Sequence, residues 1–164
     1  MNEVQRLFLV QARSAFDVYK LLNGEPKLHH CHALHYLQMA TELLGKAGAW
    51  RHPPVGKSHK ALVPFLRNLA TNSRAQISMG HRGQNSNWTN MIRKIICIAE
   101  RLQQLAPALA ENGPNVEYPW PPAAPGTAPV EFSFPIWSDL SDTSDGRAML
   151  AFLQKLFVAA EIYL

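Results

Sequence analysis

The sequence has few cysteines, little charge and no long apolar run, and each shortage excludes a class of protein. Its two cysteines, Cys31 and Cys97, are too few for a disulfide scaffold, which predicts a reducing compartment. No apolar run approaches the roughly 18 to 20 residues that a membrane-spanning helix needs, so we expect no integral membrane protein. The first three residues already include the acidic Glu3, so the start of the chain does not resemble a secretory signal. We therefore expect a cytoplasmic location and no membrane partner.

The short motifs of several common enzyme classes are also missing. The chain has no glycine-rich phosphate loop, no Gly-x-Ser-x-Gly elbow, no Cys-x-x-Cys pair and no aspartate-rich metal loop. Those classes are excluded as far as motifs can exclude them. The sequence therefore predicts no cofactor, and it leaves open whether the protein is an enzyme.

Acidic residues are absent from the middle of the chain. The 57 residues from 43 to 99 contain no Asp or Glu, but they contain nine Lys and Arg. Residues 1–105 hold 14 Lys and Arg against 5 Asp and Glu, a net charge of +9, whereas residues 106–164 hold 2 against 7, a net charge of −5. An uncompensated positive surface attracts polyanions, nucleic acid above all. The alternative is that the acidic C-terminal part folds over the basic face and neutralises it.

Apolar residues recur with a period of 3.6 residues along most of the chain, which predicts helices. The first stripe is Val4, Phe8, Ala12, Ala15, Phe16, Tyr19 and Leu22. The second is Ala33, Tyr36, Leu37, Ala40, Leu43, Leu44 and Ala47, with Gln38, Glu42 and Lys46 away from it. Three more stripes lie within residues 62–69, 88–109 and 149–160. We predict one all-α domain over residues 1–164, an antiparallel bundle of four to five helices.

Two segments interrupt these predicted helices. Residues 71–85 are polar and predict a loop. Residues 114–135 contain seven prolines, which exclude a regular helix, and they are rich in aromatic side chains. We predict a strap, extended and packed on the bundle, with a short strand at 130–134, inside an irregular insertion at about residues 114–144.

The second and third predicted helices resemble those of the HEPN family (higher eukaryotes and prokaryotes nucleotide-binding). Residues 31–47 end in Glu42-Leu43-Leu44-Gly45-Lys46-Ala47, similar to the Glu-Leu-Leu-x-Lys-Ala end of the second HEPN helix. The third element resembles a HEPN helix of leucines that a histidine opens, with His59, Leu62, Phe65, Leu66 and Leu69. Tyr118-Pro119 is similar to a Tyr-Pro pair that precedes the last HEPN helix. The resemblance covers residues 1–112 and 145–164.

This resemblance implies a homodimer from a toxin–antitoxin, phage-defence or CRISPR-linked setting. It also implies a metal-independent ribonuclease in members that carry an Arg, then four to six intervening residues, then a His. Here the pair with that spacing is Arg74 and His81, with six residues between them. A histidine supplies a group that titrates near neutrality, and a fixed arginine faces the phosphate. The pair departs from the family pattern because Ala75 follows Arg74 and because we predict a loop there, so two exposed loop side chains are the alternative.

The basic stretch supplies the other candidate residues for binding nucleic acid. These cations are Arg51, Lys57, Lys60, Arg67, Arg82, Arg93 and Lys94. Residues 78–88 add amide side chains for base edges and the indole of Trp88 for stacking, although the helical register of Trp88 also fits a core position. Trp50 is a second candidate for stacking.

A cluster of histidines near the start of the second helix raises the question of a metal site. It comprises His29, His30, Cys31, His32 and His35. Pairs at i,i+3 or i,i+4 spacing share a helix face, but a closed zinc site needs four ligands and the chain has no second cluster. We therefore predict no metal, and we expect these side chains to pack or cap.

Two functions remain open from the sequence. In the first, a HEPN-like protein associates with RNA or another polyanion through residues 43–99 and cleaves it through His81 and Arg74. In the second, a non-catalytic HEPN-like adaptor dimerises or binds a protein partner, with the aromatic strap as part of the contact.

Overall fold

A computed structural model describes residues 1–49, 59–83, 85–121 and 124–164. Within those ranges the chain forms eight helices and no strand, which confirms the all-α prediction. The helices are α1 (Glu3–Asn23), α2 (His30–Ala49), α3 (Leu62–Ala70), α4 (Ser73–Ser78), α5 (Asn85–Gln103), α6 (Pro107–Ala110), α7 (Pro135–Asp142) and α8 (Ser144–Tyr163). None of them is both long and apolar enough to cross a bilayer.

Helices α1 and α2 form a hairpin. The side chain of Asn2 accepts a hydrogen bond from the Gln5 amide, and the Gln5 side chain accepts one from the Asn2 amide, which caps the start of α1. The buried side chain of Gln5 also donates, through its Nε2 atom, to the carbonyl of Ala47 at 3.1 Å. This hydrogen bond joins the start of α1 to the end of α2. Against prediction, Val4 is exposed, because the buried face of α1 is centred one residue later, on Gln5, Leu9 and Ala12.

Helix α3 packs against α2 at a very short backbone distance. A Cβ atom added to Gly45 would lie 2.5 Å from the carbonyl carbon of Ala61, so only glycine allows this approach. Helix α5 then packs on α3. The Gln103 side chain accepts a hydrogen bond from the Val63 amide at 3.1 Å, which joins the end of α5 to the start of α3.

Helix α8 completes the core. Met149, Leu153 and Leu156 are fully buried at its centre. Thr143 caps it by accepting a hydrogen bond from the Gly146 amide at 2.9 Å. Helix α7 precedes it directly and packs along it.

The segments predicted to be irregular contain more helix than the sequence indicates. The predicted loop at 71–85 holds α4, which Asn72 caps by accepting a hydrogen bond from the Ala75 amide at 3.0 Å. The predicted strap is not confirmed, because α7 lies inside the proposed insertion and residues 130–134 form no strand. The aromatic side chains of Trp120 and Phe134 are buried.

Candidate nucleic-acid interface

A groove of about 530 Å³ runs between α3 and α5, and basic side chains line it. Lys60 and Arg67 lie on its α3 side, and Arg101 lies on its α5 side. Glu100 is the one carboxylate among the described residues that line it. The groove therefore carries more positive than negative charge.

Helical spacing explains the α5 side of the groove, whereas the α3 side is formed by the helix and the residues before it. Arg67 lies on α3, Lys60 lies two residues before α3 begins, and both line the groove. On α5, Cys97 and Arg101 are four residues apart and share one side of the helix, and Gln104, directly after α5, lines the groove beside them. Lys60 and Arg67 were predicted from the sequence, whereas Arg101 was missed because it lies beyond the stretch without acids.

Carboxylates from the C-terminal part reach some of the cations on α5. Asp139 of α7 pairs with Arg101, and Asp145 of α8 pairs with Lys94 at 3.1 Å. Within the groove, Arg67 pairs with Glu100 at 3.4 Å. All three pairs are partly exposed to solvent, where such a pair contributes about 0 to 1 kcal/mol to stability. The acidic part of the chain therefore matches part of the basic surface, and it does so through weak contacts.

Three other cations have no carboxylate partner among the described residues. Within the described ranges, no carboxylate lies within ion-pair distance of Arg74, Arg82 or Arg93, and all three are exposed. Arg93 instead donates to the Asn90 side-chain oxygen at 3.1 Å. The remaining predicted cations, Arg51 and Lys57, lie outside the described residues, as do Trp50 and Gln84.

The predicted catalytic pair lies on α4 and the turn that follows it. Arg74 is in the first turn of α4 and is exposed. His81 is half-buried, and its backbone is held at both ends, because its amide donates to the Gln76 carbonyl at 2.9 Å and its carbonyl accepts from the Gln76 side chain at 2.9 Å. The His81 Nδ1 atom is buried, and none of the described residues forms a hydrogen bond with it.

Trp88 is a core residue and is closed to a nucleic-acid base. Its side chain is 1% exposed, and its indole Nε1 donates to the Ala70 carbonyl at 3.1 Å. The ring centroids of Trp88 and His81 are 5.3 Å apart. Of the two roles that the sequence left open for Trp88, the structure shows the core position, and the Trp88 ring packs beside the His81 ring.

A polar cluster that the sequence analysis missed lies between α2 and the start of α3. The Glu42 carboxylate contacts Lys46 Nζ at 2.5 Å, His59 Nδ1 at 2.8 Å and Gln38 Nε2 at 2.9 Å. Gln38 and Glu42 are buried although they fall outside the apolar stripe of the sequence. Their i,i+4 spacing, which Lys46 continues, is the signal that could have identified them. The cluster anchors His59, the residue directly before Lys60 of the groove.

The environment of Glu42 changes its acidity. Burial alone would raise the pKa of this carboxyl, but hydrogen bonds from Lys46, His59 and Gln38 outweigh burial and lower the pKa below its ordinary value of 4.5. A carboxylate with a lowered pKa stabilises the folded state above the unfolded-state pKa. That contribution is lost as the pH falls through the folded-state pKa.

We expect Glu42→Gln to reduce the pH dependence of folding in acid. Around neutral pH the parent should have the higher free energy of unfolding, and the difference between the two proteins should shrink as the pH falls below 4.5. Urea unfolding between neutral and acidic pH measures this difference. Glu111→Gln, at an exposed glutamate, is the control and should follow the parent. A constant difference between parent and Glu42→Gln at every pH would contradict the assignment.

The side chains of the histidine cluster at the start of α2 pack against different partners. His30 stacks on Trp137 with ring centroids 4.1 Å apart, and His35 Nδ1 lies 3.6 Å from a carboxylate oxygen of Glu117. Cys31 is buried, and burial raises the pKa of its thiol. Across the part of the chain that the structure describes, no three His, Cys, Asp or Glu side chains come together as they would around a metal ion.

No family model, curated protein or solved structure matches this chain. The HEPN resemblance therefore stays a prediction from the sequence. The observations that bear on function are the geometry of the groove and the charges around it.

Proposed function

We propose that the protein associates with RNA or another polyanion through one basic surface. This polyanion surface comprises Lys60, Arg67 and Arg101 of the groove. The exposed cations Arg74, Arg82 and Arg93, which do not line the groove, add to the positive field around the protein. The observation that supports it best is the groove itself, in which three cations and one carboxylate line about 530 Å³ of space in the described structure. A row of phosphates is the ligand that such a surface attracts.

The ion pairs around the groove do not prevent phosphate binding. The Arg67 and Glu100 side chains are 66% and 52% exposed, so their mutual attraction is screened by water and salt. A phosphate that accepts two hydrogen bonds from one guanidinium is a stronger partner than an exposed carboxylate at 3.4 Å. We therefore expect Arg67 and Arg101 to exchange their carboxylate partners for phosphates.

Binding of this kind depends mainly on the backbone of the nucleic acid. Contacts to phosphates position a protein on nucleic acid but carry little sequence information. Since Trp88 is buried, it adds no stacking contact. We expect high salt sensitivity and little preference for sequence.

The HEPN resemblance extends the proposal to catalysis in a toxin–antitoxin or phage-defence setting, with a cytoplasmic homodimer as the acting form. In that extension His81 moves a proton at the ribose 2′-hydroxyl, and Arg74 stabilises the charge that develops on the phosphate. The support is that Arg74 is exposed and that Gln76 and Trp88 fix the position of His81.

An RNA-binding titration at several salt concentrations tests the proposal. Affinity should fall steeply with salt, and Arg67→Ala or Arg101→Ala should each reduce the slope of log affinity against log salt by about 0.7 to 0.9 per lost phosphate contact. Arg6→Ala, at an exposed cation of α1, is the matched control and should leave the slope unchanged. Salt-independent binding, or an equal loss with Arg6→Ala, would contradict the proposal. In the same series, RNA cleavage by His81→Ala at the parent's rate would remove His81 from the mechanism.

A second candidate function is a non-catalytic adaptor. The sequence placed its contact on the aromatic strap, but Trp120 and Phe134 are buried there. The observation that favours an adaptor is instead an exposed apolar face on α1. If the protein binds no RNA, the adaptor remains as the candidate function.

A further inference from the structure

A second cleft, of about 500 Å³, lies between the first turns of α2 and residues 116–130. It shares no lining residue with the groove between α3 and α5. Small-molecule sites have volumes of about 300 to 1,000 Å³ and mostly apolar walls. Most of the residues that line this cleft are apolar: Tyr36, Val116, Pro119, Ala128, Pro129 and Val130. The cleft therefore suits a small organic molecule.

Hydrogen bonds hold the wall opposite α2 in place. The side-chain oxygen of the buried Asn115 accepts from the amides of Glu117 at 3.0 Å and Tyr118 at 2.8 Å. Farther along, the Trp120 amide donates to the Thr127 carbonyl at 3.0 Å, which joins the two parts of the segment that line the cleft. A pre-formed wall lowers the ordering cost that a ligand has to overcome on binding.

Glu117 gives the cleft a negative charge. It is the one carboxylate among the described lining residues, and no Lys or Arg lines the cleft with it. Its side chain is 29% exposed, and none of the described residues donates a hydrogen bond to its carboxylate. His35 Nδ1 lies 3.6 Å from the Glu117 Oε1 atom, which is longer than a hydrogen bond. The other titratable lining groups are His32 and the buried thiol of Cys31. With both histidines neutral, the carboxylate of Glu117 keeps its capacity to accept hydrogen bonds.

This combination of charge and shape favours an organic cation over other small molecules. A protonated amine donates up to three hydrogen bonds, and those to a carboxylate are about twice as strong as neutral ones. The ring of Tyr36 offers a further surface to a cation or to an apolar ring. An anion would be repelled by Glu117. A neutral apolar molecule would exclude water from this carboxylate without replacing the lost hydrogen bonds.

An inorganic cation fits the cleft less well than an amine. A metal ion needs several ligands, and no three His, Cys, Asp or Glu side chains of the described residues converge around one point. The apolar walls also offer nothing to a hydrated ion, whereas they match the hydrocarbon part of an amine.

We propose that this cleft binds a small organic amine, with its protonated nitrogen on Glu117 and its apolar part against Tyr36, Val116 and Val130. The site goes beyond the polyanion surface and does not depend on it, because the two share no residue. The two sites also select opposite charges, since cations dominate the groove and a carboxylate marks the cleft.

Three naphthalene compounds that differ in one group test the ligand class. These probes are naphthylmethylamine, naphthylmethanol and naphthoate, titrated into the full chain and followed by NMR. The titrations are made at about pH 8, where free histidine is neutral and a primary alkylamine is protonated. The amine should bind at least about tenfold more tightly than the alcohol, because only the amine forms charge-assisted hydrogen bonds, and the carboxylate should bind most weakly. A parent protein that does not bind the amine, or that binds the alcohol or the carboxylate equally well, overturns the proposal.

Glu117→Gln tests the location of the site. The variant keeps the shape of the side chain and removes its charge, so affinity for naphthylmethylamine should fall about tenfold. Helix content and urea midpoint should match those of the parent, since none of the described residues donates a hydrogen bond to the Glu117 side chain. Glu111→Gln, at an exposed glutamate outside the cleft, is the matched control and should bind the amine as the parent does. Unchanged amine affinity in Glu117→Gln, or an equal loss in Glu111→Gln, overturns the assignment of Glu117.

Discussion

Trp88→Ala should lower the free energy of unfolding by about 3 to 5 kcal/mol, the usual cost of emptying a buried aromatic site. The Trp88 ring lies within the core, with its centroid 6.0 Å from that of Phe152 on α8. Its Nε1 also satisfies the Ala70 carbonyl at the end of α3. Loss of the indole therefore removes packing between α5 and α8 and leaves a partly buried acceptor without its donor. Urea unfolding followed by circular dichroism measures the loss.

Trp88→Phe separates the two contributions. The phenyl ring retains part of the packing but cannot donate to Ala70, so its effect should fall between those of the parent and Trp88→Ala. Both variants should also loosen His81, since the Trp88 ring packs beside it. Equal stability of Trp88→Ala and the parent would contradict the placement of Trp88 in the core.

The long helices could be predicted from the sequence because each has a strong apolar period. The register of α5 is one example, since Trp88, Ile92 and Ile95 were expected on one face and all three are buried. Helix α1 shows the limit of this approach. It has apolar residues on two faces, and the sequence pattern alone merged Val4, which belongs to the outer face, with the core stripe.

Apolar periodicity does not predict short helices or polar clusters. Helix α4 has six residues, fewer than two turns, so it shows no period and its cap at Asn72 is the main local signal. The sequence pattern placed Glu42 only away from the apolar stripe of α2, and buried carboxylates are rare without partners. Its partner His59 lies 17 residues away, and only the packing of α2 against α3 brings the two together.

The distribution of charge along the sequence predicted some of the groove cations but not their ion pairs. Composition identified the cations at Lys60 and Arg67, which do line one groove. It could not show which cations the acidic C-terminal part would reach, because those contacts span 51 residues for Lys94–Asp145 and 38 for Arg101–Asp139. Such pairs depend on where α7 and α8 pack. The structure places them against α5 and leaves Arg74, Arg82 and Arg93 without a carboxylate partner among the described residues.

Gly45→Ala should destabilise the fold by about 2 kcal/mol, even though alanine is the better helix former by about 1 kcal/mol. The added Cβ would lie 2.5 Å from the Ala61 carbonyl carbon and 2.6 Å from the Leu62 amide nitrogen. These are backbone atoms, so no side chain can rotate away, and α3 as a whole has to move off α2. Urea unfolding measures the cost.

Gly24→Ala is the matched control for this prediction. Gly24 has a right-handed backbone, with φ of −85°, and an added Cβ would find its nearest neighbour at an ordinary 3.6 Å. We expect Gly24→Ala to change stability little. Because a displaced α3 would carry Lys60 and Arg67 away from α5, Gly45→Ala should also weaken any RNA binding through the groove, while Gly24→Ala should not. A Gly45→Ala protein as stable as the parent would show that α2 and α3 are not in the close contact on which the groove depends.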